Sequence, residues 1–249
     1  MVITLRGLAF LLISGCLGVP CALRAAGVGD GESSDAVFDR YVAATEAQES
    51  SLRGIQMTVD IQAELPKLKK QGKFHALRII PKVGRITYDA LHFEGDKTIK
   101  TDVIARYLQA EDQAQAGNPR ALSINRENYK FKYKGEEEIE SRSAYWFQLT
   151  PKKKRVGLFK GDLWVDERTC LPLRERGHFV KNPSVFLKKV EFQRDFEIKD
   201  GVAVPKRIVS HVDTRIVGLA ELTIDFSDVK PADEASIPEA ALSGFGSVR

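Results

Sequence analysis

Covalent catalysis needs a nucleophile beside a base, paired carboxylates across a cleft, or soft ligands at metal spacing, and each can be sought directly in the residues. The four histidines, His75, His92, His178 and His211, lie in separate segments, and none has a second His or a Cys at the short spacing of a zinc site. His75 and His211 alternate with apolar neighbours, as residues on the wet side or edge of a strand do. Glu136-Glu137-Glu138 follows Gly135 and reads as a solvated charge run beside a turn. No Gly-x-Ser-x-Gly elbow occurs, which removes the commonest setting for serine hydrolysis. Gly244-Phe245-Gly246 lacks the third glycine and the strand–helix context of a phosphate cradle. Cys170, in Thr169-Cys170-Leu171-Pro172, has no nearby His to activate it and reads as a small residue at a strand end. No catalytic residue, metal ligand or cofactor site can be nominated, so the expectation is a non-enzymatic protein that works by binding.

One basic run is dense enough to act on a surface. Pro151-Lys152-Lys153-Lys154-Arg155 has the composition of a nuclear localisation patch, but the N-terminus contradicts that reading. As a hairpin connection it would serve solubility and edge protection. Together with Lys67, Lys69 and Lys70 in another connection, it would also bias one rim toward anionic lipid head groups, at about 1 kcal/mol per charge.

The N-terminal 26 residues are an export signal: Arg6, the apolar run Gly7–Ser14, then small residues through Ala22, with Ala25-Ala26 beyond. The uncharged span between Arg6 and Arg24 is 17 residues, broken by Ser14, glycines and Pro20, and is too short for a good spanning helix. Two modes of cleavage stand side by side. Ile13-Ser14-Gly15-Cys16 resembles a bacterial lipobox, in which Cys16 would become the lipid-attached first residue; the other mode is ordinary cleavage near residues 22–26. In the second mode Cys170 is the one remaining cysteine, so core packing and not a disulfide must hold the exported domain.

The elements follow from periodicity. The 249 residues are 43% hydrophobic and carry a net charge of +4, which suits a globular domain and is too dilute to predict nucleic-acid binding. Gly27–Ser34 is a linker by composition. Val37, Phe38, Tyr41, Val42, Thr45 and Gln48 recur at helical steps, with Ser34 or Asp35 as N-cap and Gly54 as a stop. From Ile55 the period becomes two: Met57, Val59, Ile61, Ala63 and Leu65 share one face of a strand and the even positions share the wet one. Pro66–Gly72 reads as a hairpin connection, and further strands are expected at 74–80 and 85–93. Ile99–Gln115 reads either as a helix stopped by Gly117-Asn118-Pro119 or as one strand with a loose insertion. The second half alternates again through Tyr129, Phe131 and Tyr133, then Tyr145, Phe147 and Leu149, and on through 226. The total is about ten strands, with no βα alternation of the parallel nucleotide-binding kind. Residues 231–249 read as a flexible tail.

Tyr145-Trp-Phe-Gln-Leu-Thr-Pro151, Phe159-Lys-Gly-Asp-Leu-Trp-Val-Asp166 and Asp200-Gly-Val-Ala-Val-Pro205 carry a family resemblance. The stretch GDLWVDERTCLPLRERG is similar to the strand–turn–strand pattern of the outer-membrane lipoprotein-sorting proteins, the LolA/LolB-like carriers, and the chain resembles a divergent member over residues 35–230. The resemblance implies a mainly β (α+β) fold: an incomplete antiparallel barrel of about ten strands, with the N-terminal helix on its concave face and a hydrophobic cavity for acyl chains. The expected occupants are lipid acyl chains or lipoproteins, in the periplasm or on a membrane-anchored lipoprotein facing it. An envelope sensor or interaction module built on the same fold is the second expectation. Parity places Met57, Val59, Ile61, Phe147, Leu149, Phe192, Leu222, Ile224 and Phe226 as cavity-lining candidates, with Cys16 as the candidate lipid attachment.

Overall fold

The computed structural model describes residues 33–232, apart from 116–118, 183, 185 and 216. The chain divides into Met1–Glu32 and Ser33–Arg249, and only the second unit falls among the described residues. The export segment with Cys16, most of the expected linker and the tail beyond 232 lie outside them.

Helix α1 (Ser34–Gln48) is capped by Ser33, whose Oγ accepts from the Ala36 N–H at 3.2 Å, one residue earlier than the sequence predicts. Ten strands follow: β1 (Ile55–Leu65), β2 (Lys70–Ile80), β3 (Thr87–Gly95), β4 (Tyr129–Ile139), β5 (Arg142–Pro151), β6 (Phe159–Asp166), β7 (Pro172–Phe179), β8 (Leu187–Lys199), β9 (Val202–Thr214) and β10 (Leu219–Pro231). The β1–β2 connection is tighter than expected. A single 3-10 turn, Pro66–Leu68, leads to Lys69 at φ 52°, and pairing resumes at Lys70.

The strands form one antiparallel sheet in the order β3-β2-β1-β10-β9-β8-β7-β6-β5-β4. Each strand pairs with its neighbours in sequence and β1 pairs with β10, so a closed ten-stranded meander lacks one pairing, β3 with β4. Between those two strands the chain makes a π-helical turn (Ile99–Ile104) and helix α2 (Ala105–Gln115). The helical alternative for this segment is therefore the one realised. Ile99, Val103, Ile104, Tyr107 and Leu108 recur at three- and four-residue steps and bury against β1, β2 and β10.

Two helices thus fill a curled, unclosed sheet at different places. Val37, Phe38 and Tyr41 of α1 pack with Tyr129, Tyr145, Phe147, Leu149, Leu163 and Val165. The π turn and α2 pack with Met57, Val59, Ile61, Phe74, Leu222 and Ile224. The backbones of β6 and β7 approach closely where Gly161 faces Gly177: a Cβ on Gly161 would lie 1.9 Å from the Arg176 carbonyl oxygen.

Asp166 explains the Trp-Val-Asp pattern at the end of β6. It is 2% exposed, accepts from the Thr169 N–H and hydroxyl at 2.9 and 2.7 Å, and accepts from Arg142 Nε at 2.9 Å. These bonds fix the turn in which Cys170 adopts φ 56° and is buried. Burial alone would push the Asp166 carboxyl up, but the Arg142 and Thr169 bonds outweigh it and hold it below its ordinary 3.8. A lowered carboxylate gives stability that is present above 3.8 and is lost as pH falls through the folded value. Asp166→Asn should cost about 1.5–3 kcal/mol near neutrality, the range for hydrogen bonds to a charged group. Its urea midpoint should also fall less steeply than the parent's between pH 5 and 3, and parallel midpoint curves would refute the assignment.

Candidate functional site

Strand register decides where the loops lie. Leu65 pairs with Lys70, Tyr129 with Pro151, Phe159 with Phe179, Leu187 with Thr214, and Leu219 with Asp213. The connections 66–69, 152–158, 180–186 and 215–218 therefore gather at one end of the sheet.

A cavity of about 390 Å³ runs toward that end along the concave face, roofed by α2 and floored by β8, β9 and β10. Its floor is built in register tiers. Leu187 and Thr214 stand at the loop end; Val190, Val212 and Ala220 form the next tier; Phe192, Ser210 and Leu222 the next; Arg194 and Ile208 stand at the inner end. At ~3.3 Å per residue, Leu187 to Arg194 spans about 23 Å. The roof contributes Val103, Arg106, Tyr107 and Ala110, and the mouth contributes Phe179, Phe186 and Val217. The lining is mostly apolar with a few converging polar groups, the usual make-up of a ligand site.

The inner end is polar. Arg194 Nη1 donates to Glu175 Oε2 at 3.2 Å, and the guanidinium lies 4.6 Å from the centre of the Phe192 ring. Burial raises the Glu175 carboxyl above its ordinary value, against the pull of Arg194. Tyr129 nearby is pushed up to about 12, chiefly by burial, and Tyr41 and Tyr107 are raised for the same reason.

Roof and sheet are tied by a second polar cluster. Arg78 Nη2 donates to Glu111 Oε1 at 2.6 Å, the Tyr88 hydroxyl donates to Glu111 Oε2, and Arg78 also contacts the Met57 sulfur at 3.8 Å. Burial, reinforced by the Glu111 carboxylate, holds the Tyr88 hydroxyl protonated far above the usual tyrosine range. Glu111→Ala leaves the Arg78 guanidinium, 11% exposed, without its carboxylate. The expected cost is about 3 kcal/mol, or a Tm lower by about 6–12 °C for a domain of this size. A melt shifted by less than 2 °C, no more than a single kcal/mol would cause, would show that the cluster does not hold the roof.

A larger hollow of about 630 Å³ lies on the opposite face, over Lys160, Asp162, Arg176, His178, Glu191 and His211. These are the outward-facing positions. The charged walls are paired in part, with Arg176 3.4 Å from Asp162 and Lys189 2.7 Å from Glu191. Among the described residues no three His, Cys, Asp or Glu side chains converge as a metal site. The described residues also include no helix long and apolar enough to cross a membrane.

Of the nine residues nominated from parity, Phe192 and Leu222 line the inner cavity. Phe147 and Leu149 are buried in the α1 cluster; Met57, Val59, Ile61 and Ile224 are buried under the π turn and α2, with Phe226 half-buried beside them. Parity missed Ser210 and Arg194, because a polar residue in an apolar phase reads as a break in the pattern. The available signal was that both share the inward parity of Phe192 and Leu222.

The described residues thus form an open antiparallel barrel plugged by two helices around a mostly apolar cavity. No family model matches the chain, and no curated protein does. Among solved structures it is similar to a DUF1329 family protein from Desulfovibrio piger, at 16% identity and a TM-score of 0.45, covering 84% of this chain and 98% of that one. It is also similar to a putative outer membrane lipoprotein-sorting protein domain from Vibrio parahaemolyticus (12% identity, TM-score 0.38, 81% and 96% covered). A third is a LolA superfamily protein from Nitrosomonas europaea (15% identity, TM-score 0.37, 84% and 97% covered).

Proposed function

We propose that this chain is an exported carrier of the bacterial cell envelope that holds the acyl chains of a lipid or lipoprotein, without covalent chemistry. The observation that carries the reading is the apolar cavity between α2 and strands β8–β10, which reaches the loop end of the sheet at Phe186. A methylene occupies roughly the ~30 Å³ share of a liquid water, so the cavity takes on the order of a dozen methylenes. At about 0.8 kcal/mol each, their removal from water is ample to hold a single chain.

The mouth supports the same reading. Leu68, Val156 and Phe186 are exposed apolar side chains on three of the four connections at that end. Exposed Lys67, Lys69, Lys153, Lys154 and Lys181 stand among them. Apolar tips among basic side chains, at the end of the sheet toward which the cavity runs, suit transfer of a chain from an anionic lipid surface. Lys70 is held back by Asp96 at 3.3 Å and Lys152 by the Arg126 carbonyl, so these two belong to the scaffold.

Native mass spectrometry of the full chain after gentle extraction tests the proposal. The expected result is a bound mass in the range of an acyl lipid, lost on organic extraction. An empty protein that also takes up no added lipid would overturn it.

A further inference from the structure

Moving an acyl chain from a bilayer to a protein cavity exchanges one apolar phase for another, so most of the hydrophobic term cancels. What distinguishes one occupant from another must then come from polar groups in the cavity. Along the floor the two inner tiers carry one charged side chain, Arg194, at the end remote from the loops.

Arg194 is unusual in its exposure. Its side chain is 37% exposed although it points to the concave face, whereas its partner Glu175 is 9% exposed. Glu175 takes one hydrogen bond from Nη1, and Phe192 covers one face of the guanidinium. Arg194 is itself one of the residues that line the cavity, and a guanidinium fork matches a carboxylate or phosphate with paired hydrogen bonds. An arginine needed only to neutralise Glu175 could be sealed by it; this one keeps 37% exposure and lines the cavity.

Resting on the carrier reading above, we propose that the occupant is an amphiphile with an anionic oxyacid head, a carboxylate or phosphate, which seats on Arg194 while its single chain runs back over Ser210 and Val190 toward the loop end. Head inward and tail outward, the ligand adds a second anionic partner to a guanidinium that already pairs with Glu175.

The test is a native mass spectrometric titration of the delipidated full chain with decanoate, decyl phosphate and 1-decanol, ligands that share a chain and differ in head. Decanoate and decyl phosphate should bind about ten- to a hundredfold tighter than 1-decanol, the range of a charge-assisted hydrogen bond. In Arg194→Met/Glu175→Gln, which removes both charges together, the three should bind alike. Acetate and inorganic phosphate should show no saturation at the concentrations that saturate with decanoate. Equal affinity of the parent for decanoate and 1-decanol would overturn the head-group assignment while leaving the carrier reading standing. Saturation by acetate or phosphate alone would overturn it in favour of a free-anion site. Binding of none of the three amphiphiles would overturn the carrier reading itself. The parent's own ratio decides the matter even if the double variant does not fold.

Discussion

Ser210→Trp should empty the protein of acyl ligand while leaving it folded. Ser210 stands between Phe192 and Leu222 in the middle tier and is half-buried, facing the cavity and not sealed into the core. An indole there fills the channel with an apolar ring, and an aromatic side chain suits an inner strand. Blocking the middle tier excludes about half of the dozen methylenes, a loss of about 5 kcal/mol, or more than a thousandfold in affinity. The measurement is the co-purifying mass, together with decanoate titration, with a thermal melt to show that the fold survives. Ser210→Ala at the same place should keep its ligand. Retained ligand in the Trp variant, with an unchanged melt, would move the site elsewhere.

The choice of residue shows what the sequence could not convey. Phe147 has the right parity and chemistry, yet it is fully buried against Phe38 of α1, so Phe147→Arg would report on folding and say little about ligand. Alternation separates the inner from the outer face of a sheet, because side chains on a strand switch sides at every residue. It does not reveal which inner residues meet a helix and which meet open space. That depends on where α1 and α2 lie, and so on contacts such as Phe38 on Phe131 and Glu111 on Arg78 between residues far apart in the chain. The odd-numbered stripe from Met57 to Leu65 was legible for the first reason, and the packing of Met57, Val59 and Ile61 beneath α2 was hidden for the second.

The same distinction applies to the segment between β3 and β4. Its apolar residues fit a helix, but α2 has little to bury beyond Leu108, which left a strand open as an alternative. The partner it needs is the face formed by β1, β2 and β10, which comes together only when the last strand pairs with the first. In turn, keeping β3 from β4 leaves room for the helix that roofs the cavity. Inward-facing polar residues follow a related rule. Arg78, Glu175, Arg194 and Ser210 each interrupt an apolar phase, and in the folded protein they mark the roof tie or the cavity. Local breaks in a pattern are costly unless partnered, so such positions are informative about sites.

Neutralising the loop end should abolish binding to anionic membranes. Lys67, Lys69, Lys153 and Lys154 are exposed on two connections that register places at one end, beside the exposed Phe186 of a third. Each basic residue close to an anionic surface is worth about 1 kcal/mol, so replacing these four by Gln should cost about 4 kcal/mol, close to a thousandfold in vesicle affinity. Phe186→Ser removes an aromatic side chain that would sit at the interface and should weaken binding further, with less dependence on salt. Cosedimentation with vesicles of phosphatidylglycerol and phosphatidylcholine in a one-to-three ratio measures both. Parent binding should fall as salt rises from 0.15 to 0.5 M, because exposed charges are screened over a few ångströms at the higher concentration. The fourfold Gln variant should still bind decanoate in solution, since its substitutions lie outside the cavity lining. Loss of vesicle binding with retained decanoate binding would separate docking from holding. Undiminished vesicle binding by the Gln variant would show that this end does not face the lipid.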